Sequence, residues 1–272
     1  MAHALDPRPS PNTGHNRPDL DTPEIRQARI DLAACFRMAA KHGMHEGICN
    51  HFSAVLPGHD DLFLVNPYGQ AFSEVSASSL LVCDFHGNVI AGQDQTWGQP
   101  EATAFFIHAR MHLRVPRARV AFHTHMPYAT ALCMTDLCAN GGDPLVFAGQ
   151  TALKFYGRTK VDADYNGLAL DHAEGDRIAA SVGDADIIFM RHHGVMVLAP
   201  SIAEAWDDLY YLERACQVQC IAMATGRKVV PVPRQIAEAT YAQMREGDRE
   251  SARLHLESCK RQLDREQPDY RF

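Results

Sequence analysis

His123-Thr124-His125, which follows the apolar run Val120-Ala121-Phe122, carries the clearest chemical signal in the chain. In an extended strand side chains alternate between faces, so residues two apart project to the same side. Their Cα atoms then lie about 6.5–7 Å apart, which lets two imidazoles reach one ion at roughly 2.0–2.1 Å. A second pair, His192-His193, follows the run Ala185-Asp186-Ile187-Ile188-Phe189-Met190 and precedes Gly194. Adjacent residues point in opposite directions, so one of the two can join the first pair, and spacing alone does not say which. Three imidazoles suit a divalent transition ion such as zinc, manganese or iron and leave a position open for substrate or water.

The elements that would hold these side chains are legible in outline. Thr22-Pro23-Glu24 has a hydroxyl cap, a first-turn proline and an acid at the positive helix end. Ile25, Ala28, Leu32, Cys35, Phe36 and Ala39 then recur at helical spacing, predicting a helix to about Gly43. Residues 52–56, 62–65 and 80–83 read as strands between turn residues, and 120–125 and 185–190 as short buried strands. Residues 100–114 read as a helix, and so do 201–225, with Ala205, Leu209, Leu212, Cys216, Ile221 and Ala222 toward the core. Strands and helices interleave without a repeat or long linker, so one α/β domain over 21–272 is expected. Residues 1–20, with four prolines among polar residues, are expected to be a flexible arm.

Composition narrows the function classes. The chain has 272 residues, 26 Lys and Arg against 33 Asp and Glu, and a net charge of −7. That balance argues against a nucleic-acid surface, which needs a clustered cationic face. No run approaches the roughly 18–20 apolar residues of a membrane span. The opening residues lack a basic segment followed by an apolar one, so a cytoplasmic protein is expected. Eight cysteines without a CxxC pair fit reduced thiols better than a disulfide scaffold.

Several separated motifs also carry a family resemblance, over roughly residues 24–230. His123-Thr124-His125-Met126-Pro127-Tyr128-Ala129-Thr130-Ala131-Leu132 resembles the HTHxPYATAL segment of the class II aldolase/adducin family. Met190-Arg191-His192-His193-Gly194-Val195 is similar to its LRNHG segment. Gly47-Ile48-Cys49-Asn50-His51, Val65-Asn66-Pro67-Tyr68-Gly69, Phe155-Tyr156-Gly157-Arg158 and Tyr210-Tyr211-Leu212-Glu213-Arg214-Ala215-Cys216 resemble the family's adducin-like bacterial branch. The resemblance implies a three-layer α/β/α domain around a mixed, mostly antiparallel sheet. It also implies one divalent ion per subunit, zinc first and manganese or iron next, held by His123, His125 and His193. A homotetramer with active sites at subunit borders is implied as well. In the family's sugar-phosphate aldolases the ion polarises a carbonyl and stabilises the enediolate left by retro-aldol cleavage.

The chain departs from that pattern where it matters. The family's acid/base glutamate stands four residues before a helical histidine matched by His108, and here that place is Ala104. Glu101, seven before His108 on the same helix face, could substitute, and His108 could itself be a fourth ligand or a base. Tyr128 is a further candidate proton donor. Of the family's phosphate-binding positions, Asn50 and Gly69 match, but Tyr68 replaces a small hydroxyl and Ala102-Thr103 replace two serines. The expected substrate is therefore a small hydroxy- or oxo-acid and not a sugar phosphate, contacted by Asn50, Asn66, Gly69 and Arg158, the last through a bidentate carboxylate contact. Tyr165 and Asp171 read as loop and cap residues, and Lys260, Arg261 and Arg265 as a solvated helix face.

The leading expectation is a metal-dependent carbon–carbon lyase, either an aldolase or a decarboxylase. The alternatives are a non-catalytic adducin-like binding module, favoured by Ala104, and a non-haem iron oxygenase on the same fold.

Overall fold

A computed structural model describes residues 17–92, 98–139 and 142–272 of the chain. The first 16 residues of the expected arm lie outside them. Its last residues do not hang free: Pro18–Leu20 form a short 3-10 turn that buries Leu20 in the core.

Helix α1 (Pro23–Lys41) starts as the capping residues predict, with Thr22 Oγ1 accepting a hydrogen bond from the amide of Ile25 at 3.3 Å. Strands β1 (His51–Val55), β2 (Leu62–Val65), β3 (Leu81–Asp84) and β4 (Val89–Ala91) follow as a meander. The chain then runs through α2 (Ala102–Arg114), β5 (Val120–Thr124), α3 (Pro127–Cys133) and the single turns α4 (Asp136–Ala139) and α5 (Gln150–Leu153). Next come β6 (Thr159–Asp162), α6 (His172–Ser181, capped by Asp171), β7 (Ile187–Met190) and β8 (Gly194–Ala199). Helices α7 (Ile202–Ala224), α8 (Arg234–Arg245) and α9 (Asp248–Glu266) complete it.

The eight strands form one sheet in the order β4-β3-β2-β1-β5-β8-β7-β6, antiparallel throughout except for the parallel β6–β7 pair. Alternation along each strand sends its apolar side chains to opposite faces of the sheet. Phe52, Phe122, Phe189 and Val197 face one side, where Phe36 of α1 and Trp206 of α7 cover them. Ala121, Ile188, Met196 and Leu198 face the other, under Ile107 and Met111 of α2 and Ile178 of α6. The result is the expected three-layer α/β/α arrangement. The first core is anchored by aromatic stacking, with Phe52 and Phe122 ring centroids 4.0 Å apart and Phe36 4.8 Å from Phe52. Burying each such ring contributes about 1.5–3 kcal/mol.

Two expectations need correction. Ile221 is 58 % exposed and not in the core, because it shares the outer face of α7 with the exposed Val218 one turn before it. Lys260 is buried instead of lying on a solvated face, because α9 packs on α7 and α1 and its ammonium pairs with Asp31 and Glu257 at 2.8 Å. All eight cysteines are free thiols. Among the described residues no helix is long and apolar enough to cross a membrane.

Candidate metal centre

His123 sits near the end of β5, on the sheet face that carries α2 and α6, and His125 lies two residues beyond it. The turn between β7 and β8 brings in the third imidazole. Met190 pairs with Gly194 across that hairpin, and His192 takes a left-handed backbone with φ 57°, which among the described residues is the one non-glycine there. Such a residue costs of order 1–3 kcal/mol unless its surroundings impose it. The twist leaves the His192 ring outside, against the Arg191 guanidinium at 3.1 Å, and sends His193 inward. The structure thus separates the two histidines that spacing alone could not. Ligand atoms of His123, His125 and His193 lie within 4.8 Å of one another.

Gly194 makes the convergence possible. A Cβ there would stand 2.6 Å from the carbonyl oxygen of Thr124 and 2.8 Å from Cδ2 of His125. Only a residue without a side chain lets β8 approach the His125 segment this closely.

The donor chemistry fits a divalent ion. His123 Nδ1 donates to the carbonyl of Val195 at 2.9 Å, and His125 Nδ1 donates to Glu46 Oε2 at 2.5 Å. A ring that donates through Nδ1 turns its Nε2 toward the centre, the arrangement that metal ligation through Nε2 needs. His125 Nε2 is buried without a hydrogen-bond partner among the described residues, which is costly unless something occupies the centre. Burial pushes His193 down to about 4, helped by the neighbouring His125, and burial holds His123 well below the ordinary histidine range, helped by His193, His51 and His125. His123 and His193 are thereby held as neutral imidazoles ready to coordinate.

The other expected site residues are placed unequally. Asn50 belongs to the centre: its Oδ1 accepts from the amides of Glu46 at 2.8 Å and His125 at 3.2 Å, while its buried Nδ2 has no partner among the described residues. Asn66 stands behind it, donating to the Asn50 carbonyl at 3.2 Å, with its Oδ1 unpaired. Gly69 takes φ 94° in the turn after β2 and makes no described contact with the cluster. Glu101 caps α2, accepting from the amide of Ala104 at 2.9 Å and from the hydroxyl of Thr103. His108 is fully buried one layer behind the cluster, bonded to His51. Tyr128 packs against the core at the start of α3, where its amide and that of Ala129 donate to Glu213 at 2.9 Å. Arg158 is not brought to the cluster. Its guanidinium is held by Asp208 at 2.5 Å and Asp186 at 2.8 Å, in a buried charge knot that includes Lys154, Asp207 and Asp248.

Glu46 was missed by sequence reading. It lies in the irregular segment between α1 and β1, with no periodicity or motif to mark it. Thr130 was missed as well, although it lies inside the quoted HTHxPYATAL-like segment. Both line a cavity of about 580 Å³ that opens onto His125 and His193. Ile107, Met134, Leu168 and Ala169 give that cavity an apolar wall, and among the described residues no Lys or Arg lines it. Thr130 Oγ1 is buried there without a partner among the described residues.

Comparisons with known proteins agree with this fold. The sequence pattern of the class II aldolase and adducin N-terminal domain matches residues 30–220. A protein assigned to aldolase class 2 from Caulobacter vibrioides is 35 % identical over 247 residues, covering 90 % of this chain and 91 % of its own. The crystal structure of an aldolase II superfamily protein from Pseudomonas syringae superposes with a TM-score of 0.84 at 30 % identity, over 94 % of this chain and 99 % of that one. An L-fuculose 1-phosphate aldolase from Glaciozyma antarctica PI12 shares the fold with a TM-score of 0.78 at 23 % identity, over 91 % of this chain and 92 % of that one. The chain belongs to the class II aldolase and adducin N-terminal domain family.

Proposed function

We propose that the chain is a metal-dependent carbon–carbon lyase, aldolase-type or decarboxylating, acting on a small hydroxy- or oxo-acid. It would carry one divalent ion per subunit, zinc ahead of manganese or iron, and work as a homo-oligomer, a tetramer by family resemblance. The observation that carries this reading is the trio His123, His125 and His193, with ligand atoms within 4.8 Å, two of them lining a cavity that, among the described residues, no Lys or Arg lines. A binding module gains nothing evident from three imidazoles aimed at one point.

When bound, a divalent ion supplies Lewis acidity that polarises a carbonyl and offsets the negative charge left by carbon–carbon cleavage. The chain's own residues divide the rest of the work. Glu46 orients His125 through Oε2, leaving Oε1 to accept the proton of a substrate hydroxyl. Asn50 Nδ2 is a free donor for a substrate oxygen, and Thr130 Oγ1 another. The apolar wall of Ile107, Met134, Leu168 and Ala169 tolerates an alkyl or aryl group.

The buried Ala104 favours the second reading, a non-catalytic adducin-like module, because it removes the carboxylate that family aldolases use. The test is a screen of hydroxy- and oxo-acids with protein loaded with zinc, manganese or iron(II), following aldehyde and carbon dioxide release. Turnover that disappears with chelator supports the lyase. Full metal occupancy without turnover supports the module, and substrate-dependent oxygen uptake with iron moves the assignment to an oxygenase.

A further inference from the structure

Behind the three converging imidazoles runs a second line of histidines that the chemistry above does not use. His51 Nδ1 lies 2.7 Å from His108 Nε2. Ser53 Oγ bridges His108 Nδ1 and His112 Nε2, the latter at 2.7 Å, and His112 Nδ1 meets the carbonyl oxygen of Ala118 at 2.8 Å. All four side chains are at most 5 % exposed. Strand alternation puts His51 and Ser53 on one face of β1, and helical spacing stacks His108 and His112 one turn apart on α2. Two unrelated periodicities thus meet in one chain of hydrogen bonds.

The far end of the chain fixes the direction of every bond. A carbonyl oxygen only accepts, so His112 Nδ1 must carry a hydrogen. Among the described residues no carboxylate bonds to His112, and burial pushes it down to about 4, so the ring is neutral and its Nε2 bare. That nitrogen must accept the single hydroxyl proton of Ser53. Ser53 Oγ then has only lone pairs for His108, whose Nδ1 must donate. His108 Nε2 is therefore bare and accepts from His51 Nδ1. The last atom in the sequence, His51 Nε2, is left unprotonated. With neutral rings no other assignment satisfies every contact.

The position of that atom gives it a use. His51 pairs directly with His123 across β1 and β5, and their ring centroids are 4.9 Å apart. The two nitrogens of an imidazole point to nearly opposite sides, so with Nδ1 on His108 the Nε2 turns away from it. No described residue bonds to that Nε2. His51 lies outside the trio whose ligand atoms converge, so it neighbours the centre without completing it.

We propose that His112, Ser53 and His108 are positioning residues that lock one tautomer of His51, making its Nε2 a hydrogen-bond acceptor for a hydroxyl or water held at His123, His125 and His193. The lock discriminates in favour of ligands that bring an O–H donor to the centre. It holds whether the chain cleaves carbon–carbon bonds or only binds, because donor and acceptor bookkeeping does not depend on turnover.

The experiment is nitrogen-15 and proton NMR of histidine side chains in full-length protein, metal-free and zinc-loaded, with zinc affinity measured alongside. His51, His108 and His112 should all appear as neutral Nδ1–H tautomers in wild type. Ser53→Ala should give His51 and His108 mixed or inverted tautomers and weaken zinc by up to about tenfold, because a water held with the ion loses the fixed acceptor at His51 Nε2. Ser53→Thr keeps the hydroxyl and should restore both. An Nε2–H tautomer of His51 in wild type overturns the proposal, and so does a Ser53→Ala variant unchanged in both readouts. Should that variant fail to fold, the wild-type spectrum decides alone. Absence of turnover in a substrate screen overturns the lyase reading and leaves this one standing.

Discussion

Glu46 and His125, 79 residues apart in the chain, meet at the candidate centre with carboxylate Oε2 2.5 Å from imidazole Nδ1. That contact fixes the ring so that its other nitrogen faces His123 and His193. Glu46→Gln should keep the fold, since the Glu46 side chain is 68 % exposed and covers no core. It should weaken zinc binding by about 10- to 100-fold, as loss of a carboxylate behind a ligating histidine does. Competition with a chromogenic chelator reads this directly. Unchanged affinity would mean that Glu46 orients nothing.

Gly194 gives a prediction with the opposite balance. A Cβ at this position meets the Thr124 carbonyl at 2.6 Å, a backbone atom that cannot move aside cheaply. Gly194→Ala should cost about 1–3 kcal/mol in urea unfolding, the usual range for overpacking. It should also lose metal, because His193 immediately precedes β8 in the turn that Gly194 closes. A variant as stable as wild type would show that β5 and β8 are not held this closely.

Glu101 tests whether a residue read as catalytic is occupied elsewhere. Its carboxylate caps α2 through the Ala104 amide. Glu101→Ala should cost about 1 kcal/mol of stability, as loss of a helix cap does, and leave metal content unchanged. Turnover lost at unchanged stability would return Glu101 to the acid/base role.

Much of this was legible in the sequence because it depends on local periodicity. Alternation alone placed His123 and His125 on one side, and the capping residues at Thr22 set the start of α1 within a residue. What the sequence concealed were relations across space. Glu46 sits in a turn segment with no pattern, and only tertiary folding puts it on His125. His51 and His108 are 57 residues apart, one on a strand and one on a helix, and nothing in either neighbourhood announces the other. Arg158 illustrates the reverse error: a guanidinium able to bind a carboxylate found its carboxylates within the chain, in Asp186 and Asp208.

Stability should depend on pH from both sides. The unfolded chain takes a proton on His112 below about 6.5, whereas burial keeps the folded one unprotonated until about 4. Stability should therefore fall by about 3 kcal/mol as pH drops from 6.5 through 4. His255 acts in the other direction. Burial alone would lower it, but the hydrogen bonds with Asp207, then Cys259, outweigh that and raise it to about 9. Its contribution is complete below 6.5 and lost as pH rises through 9. Urea unfolding of chelated protein from pH 4 to 10 should trace a dome, and a flat acidic limb would contradict the buried neutral histidine.

The central claim is that His123, His125 and His193 form one metal centre. Elemental analysis of protein purified without chelator or affinity tag, beside His193→Ala treated identically, tests it most directly. The account predicts about one zinc, manganese or iron per chain in wild type, since a tri-histidine site holds a single divalent ion, and its loss in the variant. Full metal occupancy in His193→Ala, or a folded wild type that takes up no metal even when it is supplied in excess, would contradict it.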